Sequence, residues 1–471
     1  MSAILMPFRL SSKRAIALIT GLSAALMSCQ ALKGPQPVAT STISRPKAFA
    51  AARSNQNNKI STGWLREFRD PRMTKLVKEA LTYNQGLKAA AQRLRAAKQG
   101  TIIGRAARLP SVSSATGYRR SDGRNTATSE NYSISLNASW EADLWGRLRS
   151  LDLSSQANYA ASVADFRGAR LSLSANTAQS WCNLITAEQQ LALAIKTVGS
   201  YKQALPVVER RYKANTLRAV DVQFARNNVA SAERSLRVRK LNRDNAARSL
   251  EIFLGRYPSA TVSSSTDLPF LSGKIPVGLP SQLVERRPDL VAARADLFAS
   301  AQTAEATRKN LLPSLRLTGG ASNGAINISR AFDPNYLVYS IAASLAQTIY
   351  QGGALSARAR AALDRNRAAI EDYARVALLA FREVESAIAA DRSLTEQQVF
   401  LEKEVKQTKL AEKRALSDIT LGIDGASFLE YLEAQRRSEN AGISLIRLKN
   451  ERLQNRIDLH LALGGDYATK G

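Results

Sequence analysis

Tyr132-Ser133-Ile134-Ser135-Leu136-Asn137-Ala138-Ser139-Trp140 alternates apolar and polar side chains without a break. Side chains on a strand point to opposite faces in turn, so this stretch has one greasy face and one wet face. The pattern returns later in the chain. Leu337, Tyr339, Ile341, Ala343 and Leu345 alternate with Ser340, Ala342, Ser344 and Ala346. Each stretch has a weaker companion just upstream, Val112 to Arg120 and Leu315 to Ser322, separated from it by the polar segments Ser121 to Glu130 and Asn323 to Pro334, which are read as turns. Strands of about 9 to 11 residues with this alternation serve membrane-spanning β-barrels. They also serve half-buried hairpins of water-soluble α+β domains, so alternation alone leaves both open.

The rest of the chain favours the membrane. Arg9, Lys13 and Arg14 precede an apolar run, Ala15 to Met27, that is too short for a spanning helix and has the layout of a secretory signal. The run ends in Leu26-Met27-Ser28-Cys29, which resembles the lipobox of bacterial lipoproteins. That resemblance implies cleavage before Cys29, which becomes the acylated first residue with its thiol in a thioether to diacylglycerol, palmitate being the expected acyl group. Gln30 after it resembles the pattern sorted to the outer membrane. Residues 33–61, rich in Pro, Ser, Thr, Asn and Lys, read as a solvated tether, and ordered structure is expected from Trp64.

Long helical patterns fill what remains. Gly146 to about Lys196 and Ala354 to about Val405 contain no Pro and repeat apolar residues at helical spacing. At 1.5 Å per residue, roughly 50 residues reach about 75 Å, too long for a compact domain. Two more patterns, Ala219 to Leu254 and Phe428 to Leu463, return the chain. Such lengths point to a tubular or coiled-coil-like assembly. No apolar stretch after residue 145 is long enough for a transmembrane helix.

The chain reads as a tandem duplication. Leu109-Pro110-Ser111 recurs as Leu312-Pro313-Ser314, Tyr132-Ser133-Ile134 as Tyr339-Ser340-Ile341, and Phe224-Ala225-Arg226 aligns loosely with Glu433-Ala434-Gln435. The division is a signal at 1–28, an acylated linker at 29–62, a first repeat at 63–272, a second at 273–465 and a tail at 466–471. Each repeat reads helix, strand, strand, long helix, long helix.

Chemistry is scarce. His460 is the one histidine, and Cys29 and Cys182 are the two cysteines, so imidazole triads, disulfide scaffolds and most metal clusters are excluded. No catalytic residue, cofactor or metal is expected. Cys182 lies in a long helical pattern and reads as a buried thiol.

Lipid offers no hydrogen bonds, so spanning strands must close on themselves. Four strands cannot; the smallest bacterial barrels use about eight. Chains must therefore pool their strands.

Three motifs carry a family resemblance. Gly278-Leu279-Pro280-Ser281-Gln282-Leu283-Val284-Glu285-Arg286-Arg287-Pro288-Asp289-Leu290, Trp140-Glu141-Ala142-Asp143-Leu144-Trp145-Gly146-Arg147-Leu148-Arg149 and Ala462-Leu463-Gly464-Gly465 resemble the outer membrane factors, TolC-like proteins, in their NodT-type lipoprotein branch. The resemblance implies a homotrimer with a twelve-stranded β-barrel in outer-membrane lipid and a long α-barrel in the periplasm. It implies a passive efflux duct whose partners are a periplasmic adaptor (membrane fusion) protein and an inner-membrane pump of the resistance-nodulation-division (RND) type. A type I protein-secretion conduit on the same fold is the alternative. Ser427 to Arg436 is similar to the stretch that closes the periplasmic end in such proteins, which carries an apolar ring onto Leu429, an acidic ring onto Glu433 and an ion-pair partner onto Arg436. Asp418, Ile419 and Gly422 stand where the family has an Arg-Tyr pair and a Gly, and Gly425 lies in an apparent insertion. Within the 278–290 motif, Ser281 and Pro288 read as helix starts, and Glu285, Arg286 and Arg287 as structural rather than catalytic.

Lys and Arg number 67 against 39 Asp and Glu, a formal charge of +28. A basic coiled-coil protein bound to nucleic acid is the rival that this charge raises. Against it stand the export signal and the scatter of Arg226, Arg234, Arg237, Arg239, Lys240, Arg243 and Arg248 along helical patterns, so no nucleic-acid partner is expected. Intact-mass spectrometry of membrane-extracted protein is expected to find a chain that starts at Cys29 and carries acyl mass there. A mature chain with an unmodified Cys29 would rule the anchor out.

Overall fold

In the computed structural model the described residues are 49–51, 63–124, 126–264, 267–271, 286–421, 423 and 427–465. Cys29, the signal, most of the tether and most of the 278–290 motif, Ser281 included, lie outside them. The elements are a 3-10 helix Trp64–Phe68, α1 Pro71–Tyr83, α2 Gln85–Ala106, β1 Ser111–Gly123, β2 Thr126–Ala142, α3 Arg147–Lys213 and α4 Ala219–Phe253. They continue with α5 Pro288–Lys309, β3 Ser314–Ala325, α6 Ile328–Ala331, a 3-10 turn Pro334–Tyr336, β4 Val338–Ala346, α7 Ala354–Leu421 and α8 Phe428–Ala462. Helices dominate, with one small sheet. The order helix, strand, strand, long helix, long helix occurs twice, and Pro288 begins α5 as its fixed φ suits.

Two compact units divide the chain, one within 93–163 and 292–375, the other within 44–92, 164–291 and 376–471. The first holds the sheet, antiparallel in the order β1-β2-β3-β4. Leu136 stands opposite Ser114 on β1 and Ala321 on β3. Trp140 faces Leu317, which faces Ala343, while Leu315 faces Leu345 and Gly319 faces Ile341. This register puts the apolar series of β2, β3 and β4 on one side of the sheet, and a slip of one residue would turn a strand's whole series over. Among the described residues most of that side is exposed, Ile341 by 94%, while α6 covers it only around Asn323, which stands opposite Ile134. Every residue of β1 and of β4 is exposed, and each of these edge strands has one paired neighbour.

The expected turn at Ser121 to Glu130 is shorter than its composition suggested. β1 runs to Gly123 and β2 starts at Thr126, with Arg120 opposite Glu130. Arg120 lies 3.4 Å from Glu130 and 2.9 Å from Asp122, and Tyr118 donates to Glu130 at 3.2 Å. Cross-strand pairs of this kind let polar residues continue a ladder. The second connection holds α6, and Asn323 donates from Nδ2 to the carbonyls of Arg330, Ala331 and Asp333 at 2.6, 3.0 and 3.2 Å.

The Trp140–Arg149 motif fastens the turn from strand to helix. Asp143 accepts from the backbone N–H of Leu148 at 2.9 Å and of Arg149 at 2.8 Å, which caps the first turn of α3. Gly146 has φ +70°, a left-handed value. Trp140 donates to the Arg108 carbonyl at 2.9 Å, Trp145 to that of Pro313 at 2.7 Å, and Arg147 pairs with Glu141 at 2.7 Å.

α3 and α7 are longer than their patterns: α3 passes Lys196 and carries Pro206 to Lys213, and α7 passes Val405 to Leu421. A proline inside a helix costs about 3 kcal/mol. Packing around it offsets that cost, since Ala204 and Val208 are buried among Val222, Ala225, Ile419, Phe428 and Tyr431.

The second unit is bound by a large core around Trp181, Leu184, Ile185, Leu250 and Ile457. Trp181 donates to Asp70 at 2.7 Å, and Asp70 also caps α1. Glu67 takes His460 at 2.7 Å and also Arg456, which reaches Asp391 at 3.1 Å. Burial alone would raise the Glu67 carboxyl; the His460 bond and the Arg456 charge hold it below the usual carboxylate range. Phe49 is buried against Val384, Ile388 and Leu463, and the backbone N–H groups of Ala50 and Ala51 donate to the two oxygens of Glu385 at 2.7 and 2.8 Å.

Arg287 joins two of the motifs. Its guanidinium binds Asp289 and Glu383 at 2.7 Å each and the Ala462 carbonyl, at the end of α8, at 3.1 Å. Gly464 follows at φ +84°, where a Cβ would sit 3.0 Å from the Arg286 carbonyl, and at Gly465 one would collide with Leu171. The Arg-Pro-Asp stretch and the Gly-Gly ending are thus two sides of one joint. Arg287→Ala should cost about 1.5–3 kcal/mol, the range for hydrogen bonds to charged groups. Thermal unfolding of the purified protein measures it, and Arg287→Lys should recover part because an ammonium lacks the planar fork. An unchanged melting temperature for Arg287→Ala would refute the joint.

Candidate functional site

The start of α8 gathers the residues that the sequence marked. Phe428, Tyr431, Gln435 and Ser438 recur at helical spacing and are buried. Phe428 and Tyr431 anchor the helix against α3, α4 and the last turn of α7. Ile419, which stands where the resembling family has its Arg-Tyr pair, is part of that apolar contact. Gly422 and Gly425 lie outside the described residues.

Among the described residues the opposite stripe is exposed or half-exposed. Leu429 is 47% exposed, and Glu433, Arg436 and Arg437 lie on the same side at the fourth, seventh and eighth positions after it. Glu433 and Arg436 pair as expected, with guanidinium–carboxylate contacts of 3.0, 2.9 and 2.7 Å. Sequence reasoning missed Arg437, whose Nε donates to the same carboxylate at 2.7 Å. Its position four residues after the acid was the available signal. The hydrogen bonds from Arg437 and then Arg436 hold the Glu433 carboxyl below the usual range.

Behind this stripe lies a cavity of about 520 Å³ whose lining includes Thr197, Lys409, Glu412, Gln435, Ser438 and Glu439. Burial and the Glu412 charge raise the Glu439 carboxyl, against the pull of Arg239. Burial, Glu439 and Glu412 push the Tyr201 phenol up to about 12.

Chemistry elsewhere is sparse. Among the described residues no cluster of His, Cys, Asp and Glu could hold a metal, and no helix is long and apolar enough to cross a membrane. Cys182 is fully buried, and desolvation pushes its thiol up to about 12, so it stays protonated. The Arg287 side chain and the Arg286 carbonyl lie at the joint to α8, while Glu285 lies outside the described residues. Several of the helix arginines are engaged in pairs: Arg226 with Glu209 at 2.9 Å, Arg239 with Gln190 at 2.8 Å, and Arg243 with Asp244 at 3.1 Å.

Comparison with known proteins adds the rest. The family model described as outer membrane efflux protein matches residues 76–256 and 279–465. The cation efflux system protein CusC of Escherichia coli O6:H1 is 30% identical over 420 residues, covering 87% of this chain and 90% of the relative. The outer membrane protein OprJ of Pseudomonas aeruginosa is 31% identical over 447 residues, covering 90% and 92%. The solved structure of the outer-membrane channel OprN superposes with a TM-score of 0.83 at 26% identity, covering 92% of this chain and 99% of that one.

Proposed function

Because the chain belongs to the outer membrane efflux protein family, we propose that it is the outer-membrane exit duct of a tripartite efflux system, built from three copies and fed by a periplasmic adaptor and an inner-membrane RND-type pump. It resides in the outer membrane, as its relatives do, and its role is passage rather than catalysis. The observation that carries the reading is the sheet: four strands in one register, an apolar side most of which is exposed among the described residues, and two edge strands each with one side unpaired among them. Lipid can meet that side, but it cannot pair those edges. Three copies supply twelve strands, enough to close a barrel, and the long helices continue the duct on the periplasmic side.

The remaining assignments belong to the same reading. Cys29 is the lipid attachment point after removal of residues 1–28, and 29–62 is its tether, with the Glu385 clasp at Ala50 and Ala51 near its end. Residues 63–272 and 273–465 are the two repeats and 466–471 the tail. Three copies of Leu429 and Glu433 ring the periplasmic aperture, with Arg436 beside each acid. Relatives named for efflux favour this over a protein-secretion conduit.

Purified protein in planar bilayers tests the aperture. Glu433→Ala removes the acid that holds two arginines, and the unpaired cations then repel one another around the axis. Single-channel conductance should rise. Unchanged conductance would remove Glu433 from the constriction.

A further inference from the structure

Gln435 is 2% exposed, and among the described residues neither its side-chain oxygen nor its nitrogen has a hydrogen-bond partner. An amide buried in that state is costly, so a group that could pair with it has a reason to be near. It lines the cavity walled by α3, α7 and α8. Glu439, four residues on along the same face of α8, and Glu412 of α7 line it too. Both acids are half-buried, and among the described residues neither has a hydrogen bond or an ion pair.

The charges and titratable groups around these acids come from four helices. α3 presents Lys196 and Tyr201, α4 Arg239, α7 Lys409 and Lys413, and α8 its own Tyr431 and Arg436. The three lysines are exposed, where water screens them, and Arg239 is bound to Gln190 at 2.8 Å. Burial and the Glu412 charge raise the Glu439 carboxyl against the pull of Arg239, whereas Glu433 on the exposed stripe is held below the usual range. As pH falls, Glu439 therefore takes up its proton well before Glu433.

From this arrangement we infer that Glu412, Glu439 and Gln435 form a proton-operated latch between α7 and α8. A proton from solvent turns Glu439 into a donor, with the Glu412 carboxylate and the Gln435 amide oxygen as its acceptors, and removes one of two like charges. The inference rests on the reading that α8 carries the aperture on its opposite stripe. A carboxyl raised in the folded chain adds stability in full below the ordinary carboxylate range and loses it as pH rises through the raised value. Acid thus tightens α8 against α7 and narrows the aperture, while neutral pH sets the two carboxylates against each other and loosens it.

Single-channel conductance and thermal unfolding, each at about pH 7.5 and about pH 4.5, are the test. Conductance of the parent should fall in acid and recover on return to neutral pH. Glu439→Gln, whose amide imitates the protonated carboxyl, should show the low conductance at both. It should also melt above the parent at neutral pH, with the gap closing in acid. Glu404→Gln, which alters an exposed acid of α7 away from the cavity, should follow the parent in both measurements. Size-exclusion chromatography checks that each variant keeps the assembly of the parent. Parent conductance indifferent to pH, or a parent-like fall in Glu439→Gln, overturns the latch and leaves the duct standing. Absence of channels at both pH values overturns the duct, and melting then decides the latch alone: a gap that closes in acid upholds it, and a gap constant with pH overturns it.

Discussion

A backbone N–H or C=O buried in hydrocarbon without a partner costs several kcal/mol, and a sheet edge presents a row of them. Among the described residues the sheet has two such edges, β1 and β4, and most of its apolar side is exposed. In water that side would drive aggregation; in lipid it is matched to its surroundings. The edges fare the opposite way, since water could solvate them and lipid cannot. One chain therefore satisfies its side chains in the membrane only by leaving its backbone unsatisfied. Association of copies edge to edge resolves both requirements, and the tandem arrangement of hairpins gives each copy two strands from each half.

The second unit shows why the recognisable motifs are joints rather than reactive sites. Arg287 ties the start of α5 to the last carbonyls of α8, and Gly464 and Gly465 give that approach room. Glu67, Arg456, Asp391 and His460 tie the Trp64–Phe68 turn to the same helix by ion pairs and hydrogen bonds. Breaking a partner in such a buried network leaves an unpaired charge, so these residues hold the ends of the helices in place while the exposed stripes remain free to vary. Those stripes are where the aperture is assigned. On the proposed reading, function and stability are carried by different faces of one helix.

Alternation of side chains was readable because a strand's period of two is strict wherever its faces meet unlike solvents, and the hairpins fall where Tyr132–Trp140 and Leu337–Ala346 put them. The polar continuation of β1 and β2 to Gly123 and Thr126 was not readable, because ladder bonds beyond the apolar zone need only cross-strand partners such as Arg120 and Glu130. The helices were under-read at Gly199 and Pro206 for a similar reason: local propensity opposed them and tertiary packing prevailed. At the candidate site the stripe of Leu429, Glu433 and Arg436 followed from spacing and resemblance. Arg437 did not, since a carboxylate shared between two guanidinia is a matter of side-chain direction that spacing alone leaves open.

The central claim is that copies of this chain complete one another's sheet in lipid. Native mass spectrometry of full-length protein released from outer membranes in mild detergent addresses it directly. The account predicts a particle of three chains that persists until the detergent denatures it. A stable, folded single-chain particle would contradict it.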